Sequence, residues 1–507
     1  MFKKVLGRVL IALPIIALQV FWFLLIFYLL GDFTELLMLG LQILAFLFSL
    51  YIISKRDEGS YKILWLIIIM GLPILGALLY LFIGDKGTGK KLRKKIDPIK
   101  EGLKDTLPNN TDVINEVRQK DRRIAESLNH IYETTGFPLY RCKDVTYYPF
   151  GEDMFADMCL ELEKAEKFVF IEYFIVQAGK FWDTMVEILA RKAAEGVDVR
   201  VMYDDVGSIA TYSRSEVRQL EDKGIKCLPF NPFFFLQLQL NNRDHRKIMV
   251  IDGRVAFSGG VNIADEYINE THPFGKWKDI GFRINGEGVK SYAYMFIEFW
   301  NAFSSDRPID KERINEFDYN KADDKYNGYI LPFYDSPIEG DPTSNVFFTE
   351  VLSIATDYVY FYTPYLMLGD TLYDAFIRAA NRGVDVRLIL PGIPDKKMVY
   401  KISRSYYEPL LKAGVKIYEY TPGFVHAKAF VADGKLCAVG TVNLDYRSLF
   451  LHFECSSVFY DSDLAETLKK DMEDSIKESR QVEYDDTKRG FFAALGDGIL
   501  RLLAPLM

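Results

Sequence analysis

Two stretches of the chain carry the same set of reactive side chains at the same spacing. His245-Arg246-Lys247-Ile248-Met249-Val250-Ile251-Asp252 and His426-Ala427-Lys428-Ala429-Phe430-Val431-Ala432-Asp433 both read H-x-K-x-x-x-x-D, and Asn262 and Asn443 each lie seventeen residues past their His. Residues two apart on a strand share a face, so each imidazole projects beside an ammonium from a floor whose other positions pack inside. An imidazole can attack phosphorus or move a proton near neutral pH, an ammonium offsets phosphoryl charge, and an amide donates to phosphoryl oxygens. Phosphodiester exchange needs these three things: a nucleophile, an acid for the departing alkoxide, and positive charge around the phosphoryl group. The chain has only five His, so two matches with the same downstream Asn leave coincidence untenable.

Asp252 and Asp433 complete the pattern, but each begins an Asp-Gly turn directly after a strand. A structural role is expected for both, and they stay outside the reacting set. His130, His272 and His452 have no partner pattern and are expected in ordinary surface or core positions.

The elements that must hold these residues also repeat. Phe168-Val169-Phe170-Ile171-Glu172-Tyr173 is a buried-strand pattern followed by a helix through Ala193-Ala194, then Gly196-Val197-Asp198-Val199-Arg200 and Gly224-Ile225-Lys226. The second half answers with Tyr358-Val359-Tyr360-Phe361-Tyr362, a helix through Ala379-Ala380, Gly383-Val384-Asp385-Val386-Arg387 and Gly414-Val415-Lys416. The offsets are 187 at the GVDVR segments, 190 at the GxK segments and 181 at the His residues. A duplicated α/β module with small loop differences follows.

Composition bounds the setting. The chain has 507 residues, 49% of them apolar and 15% aromatic, with the excess concentrated before residue 84. Residues 9–30, 36–53 and 63–83 are apolar runs of membrane-spanning or near-spanning length. Lys3, Lys4 and Arg8 precede the first run, Lys55, Arg56 and Lys62 follow the second, and Lys86 to Lys95 bring six more basic residues after the third. The positive-inside rule then gives two crossings and a third run that enters and returns, bent near Gly71, Pro73 and Gly76, with everything downstream in the cytoplasm. A net charge of -8 gives no support to nucleic acid as the main ligand. Five cysteines without a C-x-x-C pair argue against a disulfide framework or a zinc site.

Gly84-Asp85-Lys86-Gly87-Thr88-Gly89-Lys90-Lys91 nearly matches a phosphate-binding loop but lacks the hydroxyl residue after Lys90, and it reads as a flexible basic collar or a solvated linker. Phe233-Phe234-Phe235-Leu236 reads equally as a buried strand or as a lip entering a bilayer. The expected organisation is residues 1–84 as membrane anchor, 85–135 as charged linker, 136–335 and 336–485 as the two repeats, and 486–507 as an amphipathic tail that packs on the core or lies on the membrane.

These residues resemble the phospholipase D superfamily, and more closely the bacterial cardiolipin synthases. The resemblance is carried by Asn241-Asn242-Arg243-Asp244-His245-Arg246-Lys247, the stretch 259–267, Tyr362-Thr363-Pro364-Tyr365, and 414–445 with Arg447-Ser448 after it. Residues 65–82, with their Leu72-Pro73-Ile74-Leu75-Gly76 core, also look like that family's N-terminal membrane region. It implies α/β architecture, two mixed sheets flanked by helices about a pseudo-two-fold axis, with one site between the halves and N-terminal membrane helices. By the same analogy His245 attacks phosphorus and His426 protonates the leaving glycerol, roles that the pseudo-symmetry makes reversible on sequence alone, and Lys247, Lys428, Asn262 and Asn443 hold the phosphoryl oxygens. Glu454, 28 residues past His426, matches the family's orienting carboxylate in the second copy, and Asp279 is its candidate in the first. Thr441 matches a hydroxyl position that binds substrate, opposite Gly260 in the first copy.

The implied activity joins two phosphatidylglycerol molecules into cardiolipin and releases glycerol through a phosphohistidine, with no cofactor or metal, at the bacterial plasma membrane among anionic lipids. The alternatives within the superfamily are a phospholipase D-type hydrolase and a transferase to serine or ethanolamine. A nuclease sits poorly with the acidic balance and the apolar runs, and a catalytically dead scaffold sits poorly with two filled motifs.

Overall fold

The computed structural model describes residues 34–55, 57–84, 89–232, 241–314, 326–339, 342–488 and 490–506, with positions 21, 22, 25 and 28. They divide into two compact units, one before residue 89 and one from residue 89 onward.

In the larger unit the repeated strand and helix patterns become two mixed sheets with the same seven-strand order. The first runs Asp144–Tyr148, Gly281–Asn285, Val255–Gly259, Lys247–Ile251, Phe168–Tyr173, Asp198–Asp204, Lys226–Phe230. The second runs Tyr329–Asp335, His452–Tyr460, Leu436–Gly440, Ala429–Ala432, Tyr358–Tyr362, Asp385–Pro391, Lys416–Tyr420, with Tyr140–Arg141 and Ser479–Val482 added at its edges. In each sheet the last three strands of that order are parallel and the rest antiparallel. Helices Lys180–Ala194 and Asp370–Asn381 make the first crossover in each half, as a parallel step requires. Phe168–Tyr173 is buried at every position, which is why its sequence is a continuous apolar run and not an alternation. Helix Val289–Phe303 buries eleven of its fifteen residues, matching a sequence that is apolar nearly all round.

Asp252 and Asp433 take the structural role expected of them. Both adopt positive φ (52° and 50°) at the turn. The Asp252 carboxylate accepts from the amides of Glu166, Lys167 and Phe168, all at 2.8 Å. That of Asp433 accepts from the amides of Thr356, Asp357 and Tyr358 at 2.8–2.9 Å. Each therefore pins the start of the neighbouring central strand.

Two boundaries and one local reading differ from the expectation. From residue 89 the supposed linker is built into the catalytic unit: Gly89–Gly102, Thr111–Lys120 and Arg122–Thr135 are helices whose Leu92, Ile96, Val117, Leu128 and Ile131 join the main core. The stretch 100–141 reads as charged and mostly helical, and what the sequence does not show is that its apolar stripes meet the main core. Strand Tyr329–Asp335, assigned to the first repeat, pairs with His452–Tyr460 of the second sheet. The basic run from Gly89 is helical and not a flexible collar; residues 85–88 lie outside the described residues, as does the 233–236 stretch.

In the smaller unit, Thr34–Ser54 and Gly59–Gly71 are helices, followed by Pro73–Leu79 and a π turn at Tyr80–Gly84. The break at Leu72-Pro73 is sharp: a Cβ on Gly76 would lie 2.8 Å from the Ile69 Cα, an approach no straight helix permits. Trp65 and Tyr80 pack edge to face across this bend at 5.2 Å. The expected bend near Gly71, Pro73 and Gly76 is thus present. Among the described residues no helix is long and apolar enough to cross a membrane, and most of run 9–30 lies outside them.

Helix Phe491–Leu503 lies against helix Lys397–Ser405, and Arg501 Nε donates to the Ser405 carbonyl at 2.9 Å while Leu495 and Ile499 stay exposed. The tail therefore packs on the body and keeps an apolar face outward.

Candidate active site

Each half reaches the other through a short extended segment just ahead of its histidine. Arg243–Asp244 pairs in parallel with His452–Tyr460, setting Asp244 opposite Phe453, and the His245 amide donates to the Phe453 carbonyl at 2.9 Å. Gly423–Val425 pairs in parallel with Lys276–Lys278, setting Val425 opposite Lys278, and the His426 amide donates to the Lys278 carbonyl at 2.7 Å. One residue further along each ladder a histidine meets a carboxylate. His245 Nδ1 lies 2.8 Å from Glu454 Oε2, and His426 Nδ1 lies 2.6 Å from Asp279 Oδ2.

The assignment of Glu454 to His426 and of Asp279 to His245 is therefore corrected: each carboxylate serves the histidine of the other repeat. Spacing along the chain pointed to the histidine of the same copy, whereas strand exchange across the pseudo-two-fold axis decides the partner. Lys247 Nζ donates to the His245 carbonyl at 2.6 Å. Lys428 Nζ bonds the His426 carbonyl and sits 2.7 Å from His426 Nδ1. Nδ1 of His426 is thus taken up by Asp279 and Lys428, which leaves Nε2 for a reacting atom.

Thr441 and Gly260 both bear on the orienting acids. The Thr441 hydroxyl donates to Glu454 Oε2 at 2.5 Å and accepts from the Cys455 amide at 2.9 Å, so its one proton is committed to the acid. A Cβ on Gly260 would collide with the Asp279 carboxylate, so glycine makes room for the acid. The two copies thus hold their carboxylates differently, one by a hydroxyl and one by close backbone approach. Asn262 spans from the Ile175 amide (3.2 Å) to the Tyr267 hydroxyl (2.8 Å), and Asn443 Oδ1 is buried with no partner.

Electrostatics tie these groups into one site. Burial, then the adjacent Lys247, push His245 well below its ordinary value, and His426 and Lys428 of the other half act on it as well. Burial and Lys428 bring His426 down to about 4 against the pull of Asp279. Lys247 falls to about 8 and Lys428 to about 7 through burial, each partly held up by both Glu454 and Asp279. Burial pushes the Asp279 carboxyl up, but His426 and Lys428 outweigh it and hold it below its usual range. Glu454, facing the same burial with Lys247 as its main relief, ends well above. Two histidines and two lysines buried together in this way favour a bound anion such as a phosphate.

Behind the site lie charged residues the motif reading passed over. Arg243 grips Asp204 through Nε at 3.0 and 3.1 Å, and Asp204 also accepts from the amides of Gly207 and Asp244. Arg246, on the far side of the strand from its neighbours His245 and Lys247, is fully buried on Glu172 at 2.6 Å with its guanidinium 3.6 Å above the Phe299 ring. A Glu in the middle of the apolar strand Phe168–Tyr173 was the visible sign, since a buried acid demands a buried cation. His452, expected in an ordinary position, stands 6.1 Å from the His245 ring. It holds the place that Trp277, 5.6 Å from His426, holds in the other half, two residues before the carboxylate in each. Tyr267 and Phe424 add to the wall on the His426 side at 5.2 and 6.0 Å, and Phe174 lies 4.8 Å from His245.

A duplicated mixed-sheet fold with one paired His-Lys site defines a chain of the phospholipase D class. Residues 158–273 and 348–476 match the family described as "Cardiolipin synthase, PLD-like domain", and residues 43–84 match "Phospholipase_D-nuclease N-terminal". The chain is 31% identical over 482 residues to a cardiolipin synthase of Geobacillus kaustophilus, covering 94% of each. It is 32% identical to cardiolipin synthase 2 of Bacillus cereus over 91% of this chain and 90% of that one. It is also 39% identical to an uncharacterized protein of Streptococcus mutans, over 90% of this chain and 99% of that one. Among solved structures, the phosphatidylserine synthase of Haemophilus influenzae shares the fold at a TM-score of 0.57 and 16% identity, covering 76% of this chain and 97% of that one. The chain belongs to the cardiolipin synthase family of the phospholipase D superfamily.

Proposed function

We propose that this protein transfers a phosphatidyl group from one phosphatidylglycerol to a second, giving cardiolipin and glycerol. The observation that carries the reading is the pair of histidines, one from each repeat, each with a lysine two residues further along and a carboxylate from the opposite repeat. In the first step His245 Nε2 attacks phosphorus, the P–O bond to glycerol breaks, and His426 gives its proton to the departing oxygen. In the second, His426 takes the proton of an acceptor hydroxyl, that oxygen attacks phosphorus, and the P–N bond breaks. Lys247 and Lys428 neutralise the phosphoryl oxygens; Asn262 and Asn443 complete the cradle. A phosphate anion beside the rings favours the imidazolium that burial and the neighbouring lysines disfavour.

Residues 1–84 serve as the membrane anchor in this reading, with runs 9–30 and 36–53 as the crossings and the bent 63–83 hairpin entering and returning. Exposed Leu39, Ile43, Leu44, Ile63, Ile67 and Met70 support an apolar surrounding for this unit. The repeats then work at the cytoplasmic face, and a reporter fused after Lys95 that scores external overturns this topology.

Purified protein incubated with phosphatidylglycerol alone tests the chemistry. Lipid mass spectrometry is expected to show cardiolipin with glycerol release, abolished by H245A and by H426A. Phosphatidic acid as the sole product would mark a hydrolase instead.

A further inference from the structure

The chemistry above leaves open which alcohol the second step accepts, and the walls of the site bear on that choice. Ligands in open α/β sheets sit at the carboxyl ends of parallel strands. Tyr365 follows strand Tyr358–Tyr362, and Asp395 and Lys396 follow its parallel neighbour Asp385–Pro391. The Tyr365 hydroxyl donates to Asp395 Oδ2 at 2.6 Å. Lys396 Nζ donates to the Tyr365 oxygen at 3.2 Å and stands 3.5 Å from Asp395 Oδ2. Both donors converge on Oδ2, which leaves Oδ1 to a ligand, and the Asp395 side chain is 15% exposed.

This trio borders the His426 side. The Tyr365 ring is 6.3 Å from Phe424, whose own ring is 6.0 Å from His426. The Asp395 charge also reaches Tyr267, whose ring stands edge-on to His426 at 5.2 Å. The arrangement is one-sided. The bridges Val176–Ile263 and Leu366–Leu444 set the register of the two loops and place Ile175 where the second half has Tyr365.

We propose that Tyr365, Asp395 and Lys396 form a subsite for the vicinal hydroxyls of a glycerol headgroup and exclude a cationic amine headgroup. The inference rests on the transfer reaction proposed above and names the acceptor that His426 deprotonates. Asp395 Oδ1 and the remaining lone pair of the Tyr365 oxygen can each accept from one of two neighbouring hydroxyls. An ammonium headgroup would also seek a carboxylate, but Lys396 already offsets that charge and meets the newcomer as a like charge. A neutral diol pays neither penalty.

The test uses the full chain in detergent micelles with phosphatidyl-p-nitrophenol as a donor that carries no glycerol. Nitrophenol release reports the first step, and the lipids formed from equimolar glycerol and ethanolamine report the second. Wild type is expected to capture glycerol over ethanolamine, since its leaving group is also an acceptor in reverse. D395N and Y365F should each lower glycerol capture relative to water about tenfold, the loss typical of a hydroxyl whose partner is removed, while nitrophenol release stays within about twofold. K396A should raise the ethanolamine share of product several-fold. Glycerol capture at the wild-type ratio in D395N and Y365F overturns the subsite, and so does an unchanged ethanolamine share in K396A. Failure of wild type to make cardiolipin from phosphatidylglycerol alone overturns the transfer reading itself, a result separate from the partition measured here.

Discussion

At the scale of single residues, the exchanged carboxylates and the depressed lysines govern how the site should respond to change. Asp279→Asn is expected to move the ring-nitrogen resonances of His426 and leave those of His245 in place, and Glu454→Gln to do the reverse, read by nitrogen NMR of histidine-labelled protein. A shift at the histidine of the same repeat would restore the pairing that chain spacing suggests. Each substitution should also lower kcat by about 10²–10⁴, the range found when an acid that orients a catalytic imidazole is lost. The lysines set the alkaline limb. Their ammonium form binds phosphate, and their pKa values near 8 for Lys247 and 7 for Lys428 mean that charge is lost as pH rises through that window. Accordingly kcat/KM should fall between about pH 7 and 8.5. In K428R, whose guanidinium does not titrate there, the residual activity should fall only with the Lys247 step.

At the scale of elements, the two Asp-Gly turns hold strands in place and do no chemistry. Asp433→Ala removes the acceptor for three backbone amides and should cost about 1–3 kcal/mol, seen as a lower thermal midpoint with kcat nearly retained in the folded protein. A loss of kcat without a loss of stability would instead put Asp433 in the chemistry. This scale also shows what the chain discloses and what it hides. The H-x-K pattern and the GVDVR spacing disclose the duplicated sheets because strand faces follow a period of two, and a turn after each strand is written as Asp-Gly. The partner of each carboxylate is hidden, because pairing of Arg243–Asp244 with His452–Tyr460 joins residues more than two hundred positions apart. The bond from Thr441 to Glu454 is hidden for a related reason: the spacing marks the hydroxyl and the acid but not that one holds the other.

At the scale of the whole molecule, the catalytic unit begins near residue 89 and not near 136. Leu92, Ile96, Val117, Leu128 and Ile131 fill the same core as Val289–Phe303, each worth about 2–5 kcal/mol on truncation to Ala by the usual cost of emptying a packed site. A chain starting at residue 136 should fail to fold, as judged by protease resistance, whereas one starting at residue 89 should give a resistant body. Equal resistance of the two would return 89–135 to the standing of a linker. The helical pattern of 100–141 is legible in the sequence, but the distant core residues that its apolar stripes meet are not, so that boundary is the least legible.

The crossed acids also make the halves interdependent. A lone repeat of this kind lacks, within itself, the acid that its own histidine leans on. A single repeat could complete its histidine only against a second copy that supplies the acid across a symmetry axis. Within one chain the two sides are free to differ, as Gly260 with Asp279 and Thr441 with Glu454 do.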